Sequence, residues 1–186
     1  MSNEIKSPEY YLENIEEAKE LIEGLAQDLC LYAGQEYEII FNPDLKYYDD
    51  KLGVKYSNCN NYFKYASEAI DEMVKQVGSI KIENNIMKKG VIVRHMVMPG
   101  NVEDSKKIIK YLYDKYHDDI IISIMNQYTP VRKSKYSELN RRVLEHEYNE
   151  VVNYAYDLGI RNAFVQDGDS QNSSFIPDFD KFRVLD

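Results

Sequence analysis

Apolar positions along this chain recur in two rhythms, and the rhythm changes at glycine, proline and asparagine. Ser7-Pro8-Glu9 supplies a serine cap followed by proline at a first helical position, and Ala18, Leu21, Ile22, Leu25 and Leu29 then recur at helical spacing until Gly34. Tyr37 to Phe41 is a short apolar run that predicts a buried strand, stopped by Asn42-Pro43-Asp44. Asn60 or Asn61 caps a helix with Phe63, Ala66, Ile70, Met73, Val74 and Val77 on one face and Gly78 at its end. Ile80 to Lys89 predicts a small hairpin about Glu83-Asn84-Asn85, and Val91 to Met98 a strong strand ended by Pro99-Gly100.

Asn101 then caps a helix with Glu103 and Asp104 in its first turn, where the helix dipole favours acids, and Ile108, Ile109, Leu112 and Tyr116 facing inward. Ile120 to Asn126 is a further strand, Thr129 to Arg142 a long polar and basic loop, and Leu144, Tyr148, Val151, Val152, Ala155 and Leu158 the stripe of a last helix that Gly159 follows. Ala163 to Gln166 closes the series as a strand. Strand and helix in alternation predict an α/β fold with parallel strands and crossover helices, as a layer or as part of a (β/α) barrel. Residues 1–35 form an N-terminal helix of unclear origin, and residues 36–186 the barrel-like part.

Composition narrows the function. The 186 residues are 44% hydrophobic, enough for a core, and carry a formal net charge of −9. That balance argues against general nucleic-acid binding and against docking on an anionic membrane. No apolar run reaches the length of a membrane span, and the first residues lack the apolar centre of a secretory signal, so a cytoplasmic location is expected. The seventeen tyrosines, with no tryptophan, read as amphipathic packing residues rather than a stacking platform. Cys30 and Cys59 stand too far apart, with no Cys or His beside them, to make a metal motif.

In a parallel sheet the ligand site lies beyond the C-terminal ends of the strands, and three places put polar groups there. Asp44 and Lys46, two apart, point the same way and suit a zwitterion, or else form a solvated ion pair of little energetic worth. Arg94 and His95 fall on opposite sides of an apolar strand. A guanidinium there needs a carboxylate, a phosphate or a ligand, and an ion pair with an acidic neighbour meets the need as well as a bound molecule does. His95 reads as a satisfied core histidine before it reads as a catalyst. Ser123, Met125 and Gln127 share the more polar face of the next strand, opposite Ile120, Ile122 and Ile124. The basic stretch Arg132, Lys133, Lys135, Arg141 and Arg142 suits an acidic partner or a solvated face, and the tail carboxylates Asp167, Asp169 and Asp178 follow no EF-hand spacing. No P-loop, dinucleotide-binding or H-E-x-x-H motif occurs.

Taken in order, Phe41-Asn42-Pro43-Asp44-Leu45-Lys46-Tyr47, Gly90 to Gly100 (GVIVRHMVMPG), Ile124 to Pro130 (IMNQYTP), Tyr136 to Gly159 and Phe175-Ile176-Pro177-Asp178-Phe179-Asp180 resemble the C-terminal part of radical S-adenosylmethionine (SAM) proteins of the pyruvate formate-lyase-activating type. The resemblance implies a partial (β/α)6 barrel that holds SAM and a [4Fe-4S] cluster and cleaves SAM reductively to a 5′-deoxyadenosyl radical, which generates a glycyl radical on a partner enzyme. It also implies that Asp44 and Lys46 hold the amino-acid end of SAM, that Arg94 lies at the SAM site, and that Gln127 lines the ligand. The family's cluster-binding Cys-x3-Cys-x2-Cys loop and its Gly-Gly-Glu strand are absent from this sequence, and two distant cysteines cannot replace them. The expectation is therefore a truncated or split relative, inactive alone, with no protein metal ligands and no assigned catalytic residue. The partner implied is a protein that supplies the missing half of the barrel, or a glycyl radical enzyme. A stand-alone domain that binds SAM or another small ligand is the further alternative.

Overall fold

The structure, a computed structural model, describes residues 39–166. The predicted N-terminal helix and the tail with Asp167, Asp169, Asp178 and the Phe175–Asp180 segment lie outside the described residues. The elements follow as β1 (Ile40–Phe41), α1 (Asp50–Ser57), α2 (Tyr62–Val77), β2 (Lys81–Glu83), β3 (Ile86–Met96), α3 (Val102–Tyr116), β4 (Ile120–Met125), α4 (Glu145–Asp157) and β5 (Ala163–Val165). β1, β3, β4 and β5 form one parallel sheet in that spatial order, while β2 pairs antiparallel with the start of β3. The α/β class with parallel strands and intervening helices is thus the observed one, consistent with part of a β/α fold.

The two periodicities explain the layers. Val91, Val93 and Val97 of the β3 segment and Ile120, Ile122 and Ile124 of β4 point to one face, where they pack with Ile70 of α2, Ile108, Ile109 and Leu112 of α3, and Val151 of α4. Most of these side chains are fully buried, and each contributes about 2 kcal/mol of hydrophobic stabilisation. The opposite face carries Ile92, Arg94 and Met96 on β3 against Ile121, Ser123 and Met125 on β4. A second, smaller apolar cluster sits past the strand ends, where Tyr47, Met98 and Leu139 gather Leu52, Tyr56, Tyr62, Met96, Tyr128 and Tyr136. The tyrosines do act as packing residues there, with the Tyr47 and Tyr62 rings edge to face at 5.2 Å.

Four local features depart from the sequence expectation. The first strand ends at Phe41, before Asn42-Pro43-Asp44, but its pairing with β3 does not end there. The Arg94 amide donates to the Pro43 carbonyl (2.8 Å) and the Leu45 amide to the Arg94 carbonyl (2.9 Å), so pairing resumes beyond the proline at Asp44. Proline lacks only its own donor, and its carbonyl still accepts. Helix α1 was not foreseen. It is short and polar, and begins where the Asp49 side chain accepts from the Lys51 amide (2.9 Å). Asn61 precedes α2 but its side chain makes no capping bond. It sits at φ 55°, and Asp50 of α1 accepts from the Phe63 amide (3.2 Å) instead. Leu144, expected on an inward stripe, is the exposed residue before α4.

The hairpin joins the sheet at one tight point. Asn84 and Asn85 turn it with φ of 53° and 61°, a left-handed pair that asparagine tolerates. Gly90 then lies at φ +133°, and a Cβ there would stand 2.7 Å from Ile80 Cγ2 and 3.0 Å from its Cα. Both the angle and the space exclude a side chain, because Ile80 backbone cannot swing away as a flexible tip would. Gly90→Ala should lower stability by about 2–4 kcal/mol, read as a fall in the urea midpoint at unchanged slope. A midpoint within error of the parent would contradict the steric account.

Candidate functional site

The cluster predicted from sequence assembles where β1 runs on beside β3. Arg94 Nε donates to Asp44 Oδ1 at 2.7 Å, and Lys46 Nζ lies 3.8 Å from Asp44 Oδ2. The bridge between Asp44 and Arg94, and the pairing of Arg94 with Ser123 and of Ser123 with Phe164, set one row across the whole sheet on the face opposite the main core. The three charged side chains keep 32–41% of their surface in solvent, so the pair adds at most about 1 kcal/mol to stability. Gln127 is not brought to them. It sits two residues past β4, exposed, with no hydrogen bond to Asp44, Lys46 or Arg94.

The segment Pro43–Lys46 is held from several sides. On the core side the His95 ring, 1% exposed, donates from Nδ1 to the Leu45 carbonyl at 2.8 Å, which leaves Nε2 as a lone pair without a hydrogen-bond partner. Tyr62 reaches over from α2, accepting from the Lys46 amide (2.9 Å) and donating to the Asp44 carbonyl (3.3 Å). Burial pushes the Tyr62 hydroxyl up to about 12, so it stays a neutral donor and acceptor at any ordinary pH. Just beyond, the Asp104 carboxylate accepts from the Tyr48 and Asp49 amides (2.9 Å each), burial raising its pKa while those two donors oppose the shift. The Asp–x–Lys segment is thereby tied to β3 and α2, and the residues just after it to α3.

Of the five basic residues of the loop, Arg141 is turned inward. Arg141 grips Glu147 with two bonds of 2.7 and 2.8 Å, and Glu147 also accepts from the Gly100 amide (2.8 Å) and the Leu144 amide (2.9 Å). The Arg141 hydrogen bonds, foremost, hold that carboxylate down to about 2. Lys55 pairs with Glu138 at 2.5 Å across the loop, and Tyr56 donates to the same carboxylate at 2.8 Å. Arg132, Lys133, Lys135 and Arg142 remain exposed.

Sequence reading missed Tyr62, Asp104 and Glu147. Tyr62 reads as one more aromatic at the start of an apolar stripe, and nothing in the spacing marks its hydroxyl. Asp104 and Glu147 carry a visible signal, since both are acids in the first turn of a helix, but not the loops they bind. Among the described residues no group of three or more His, Cys, Asp or Glu side chains could hold a metal ion, and Cys59 is a free thiol. Cys30 lies outside the described residues. No described helix is long and apolar enough to cross a membrane.

His95 makes the fold sensitive to acid. Burial, only partly offset by the bond to Leu45, lowers its pKa to about 4, against about 6.5 in an unfolded chain. Between those values the unfolded chain binds a proton that the folded one refuses. Stability is therefore full above pH 6.5 and falls as the pH drops toward 4, by about 3 kcal/mol at most. His95→Gln, which can still donate to the Leu45 carbonyl, should lose this component. Urea titrations at pH 7 and pH 5 should show a smaller difference for the variant than for the parent, and equal differences would refute the assignment.

No sequence model of a protein family matches the chain, and no solved structure does. An uncharacterized protein of Methanocaldococcus jannaschii is 27% identical over 126 residues, an alignment that covers 65% of this chain and 33% of that protein. The chain therefore spans about a third of the length of the curated relative it matches.

Proposed function

We propose that the Asp44–Arg94–Lys46 edge binds the amino-acid end of S-adenosylmethionine, and that this polypeptide is a radical-SAM-like part that carries the ligand edge without the cluster. The observation that carries the reading is the convergence of one acid and two bases from adjacent parallel strands, on the open face near their C-terminal ends. Arg94 uses Nε for Asp44, and its two terminal nitrogens are the pair suited to a carboxylate. The second Asp44 oxygen suits an ammonium. The donor set thus fits a zwitterionic α-amino acid.

It does not fit an iron–sulfur cluster. The chain has two cysteines, against the three thiolates of the family's loop, so no reductive step is derived for this polypeptide, and glycyl radical generation would need ligands from elsewhere. The reading implies a partner polypeptide that brings the cysteine loop and the first barrel strands. The exposed edge residues Ile40 and Phe164 favour it, since a barrel closes such edges. A solution compartment such as the cytoplasm suits this reading.

Calorimetry with SAM and with S-adenosylhomocysteine, which keeps the amino-acid end, tests the site. Both should bind the parent chain. Arg94→Ala should weaken both at least tenfold while leaving the thermal midpoint within about 2 °C, as expected for a partly exposed ion pair. Absence of binding to the parent, or equal affinity in the variant, would overturn the assignment.

A further inference from the structure

The loop between β4 and α4 gathers cations in one place. Residues 129–142 carry five of the chain's 23 lysines and arginines but, of its 32 acids, only Glu138. Glu138 is taken by Lys55 and Tyr56, and Arg141 is taken by Glu147. Arg132, Lys133, Lys135 and Arg142 are exposed, and among the described residues no carboxylate pairs with any of them. The lysines of a plainly solvated face are treated differently: Lys106, Lys110 and Lys115 of α3 each hold a carboxylate at 2.8 Å or less. Like charges left together on a short loop repel one another, and an acidic partner relieves that repulsion. Val131 heads the group. At 66% it is the most exposed large apolar side chain among the described residues.

The loop is held in place. The Asn140 side chain accepts from the Ser134 amide (2.7 Å) and donates to the Ser134 and Tyr136 carbonyls (2.9 and 3.3 Å), while Ser134 Oγ accepts from the Tyr136 amide (3.1 Å). Behind these bonds Leu139 is buried in one cluster with Tyr47 and Met98, and its carbonyl accepts from the Tyr128 hydroxyl (2.8 Å). The cations thus stand on an anchored frame, and a partner is spared much of the ordering cost that a loose loop imposes.

We propose that residues 131–135, with Arg142, form a docking surface for an acidic protein segment that carries an apolar side chain. Charge names the occupant. With the loop's surplus of cations set aside, the rest of the chain is more acidic than the overall −9, so a long polyanion such as a nucleic acid meets repulsion beyond the patch. A short acidic segment confines its charge to the loop. Val131 offers a contact for which a phosphate backbone has no use and which an aliphatic side chain fills. The inference does not depend on the SAM reading, because it rests on the loop's own charge and frame and its test involves no adenosyl ligand.

Fluorescence anisotropy on the full-length chain tests it, with a labelled peptide of glutamates and aspartates around one leucine. The peptide should bind. Arg132→Ala with Lys133→Ala should weaken it roughly tenfold at an unchanged thermal midpoint, since neither side chain pairs with another among the described residues. Lys64→Ala with Lys107→Ala removes the same charge from α2 and α3, and should leave the affinity within about twofold. Val131→Ser, or serine for leucine in the peptide, should each weaken binding severalfold. No binding to the parent chain, equal losses in the two double variants, or tighter binding of a single-stranded oligothymidylate of the same charge would each overturn the proposal. Equal losses would assign the binding to overall charge, and the oligothymidylate result would assign the loop to nucleic acid.

Discussion

Everything distinctive about this protein hangs on the two-sided anchorage of Pro43–Leu45 to Arg94–His95. The backbone ladder alone would place the segment, but two bonds would leave its rotation about the strand axis loose. Consecutive residues of a strand point to opposite faces, so Arg94 can take the Asp44 carboxylate on the open side while His95 takes the Leu45 carbonyl on the core side. Leu45, fully buried, adds a hydrophobic anchor in the same place. The price is a buried ring nitrogen with no hydrogen-bond partner, a cost of the order of 1–3 kcal/mol. A sequence free to choose an apolar residue at position 95 would avoid that cost but release the carbonyl, which has no other way of being held from the core side.

This division of labour decides which residues are structural and which are available. His95, Tyr62 and Asp104 spend their polar atoms on main-chain groups of the segment 44–49. Arg94, Asp44 and Lys46 are partly in solvent, 32–41% exposed, and contribute little to the fold. Charged groups that stability does not require, held in fixed positions by buried groups that it does, form a preorganised binding edge. Glu147 plays the equivalent supporting part for the turn after β3, fixing Gly100 and Arg141 together.

The layers and the charged edge could be read from the sequence because both follow from short-range periodicity. Alternation along Val91–Met98 separates Arg94 from His95 before any contact is known, and the helical stripe of Phe63–Val77 names its own buried face. What stayed hidden depends on partners distant in sequence. The pairing past Pro43 requires Arg94, fifty residues on, to supply a donor to a carbonyl that the proline leaves free. The Tyr62 hydroxyl and the carboxylates of Asp104 and Glu147 act on loops that no local pattern connects to them. Gln127 is not brought to the charged edge for a related reason. Extending strand alternation past Met125 assigns it a face, but β4 has ended there and the chain has turned out to solvent.

The arrangement of rows on the open face sets the surroundings of the charged edge. Ile92 and Ile121 form an apolar row, Asp44, Arg94 and Ser123 a polar one, and Met96 and Met125 a second apolar one. A face meant for water would not set isoleucine and methionine on both sides of its charges, and a face meant only for packing would not keep an arginine in the middle. Apolar rows flanking a polar one make sense when the face is sheltered but not sealed. The charges, between 32% and 41% exposed, remain reachable from the strand ends. Arg94 keeps 41% of its side chain exposed between those rows, so a ligand can reach the guanidinium while the flanking apolar side chains narrow the directions from which it approaches.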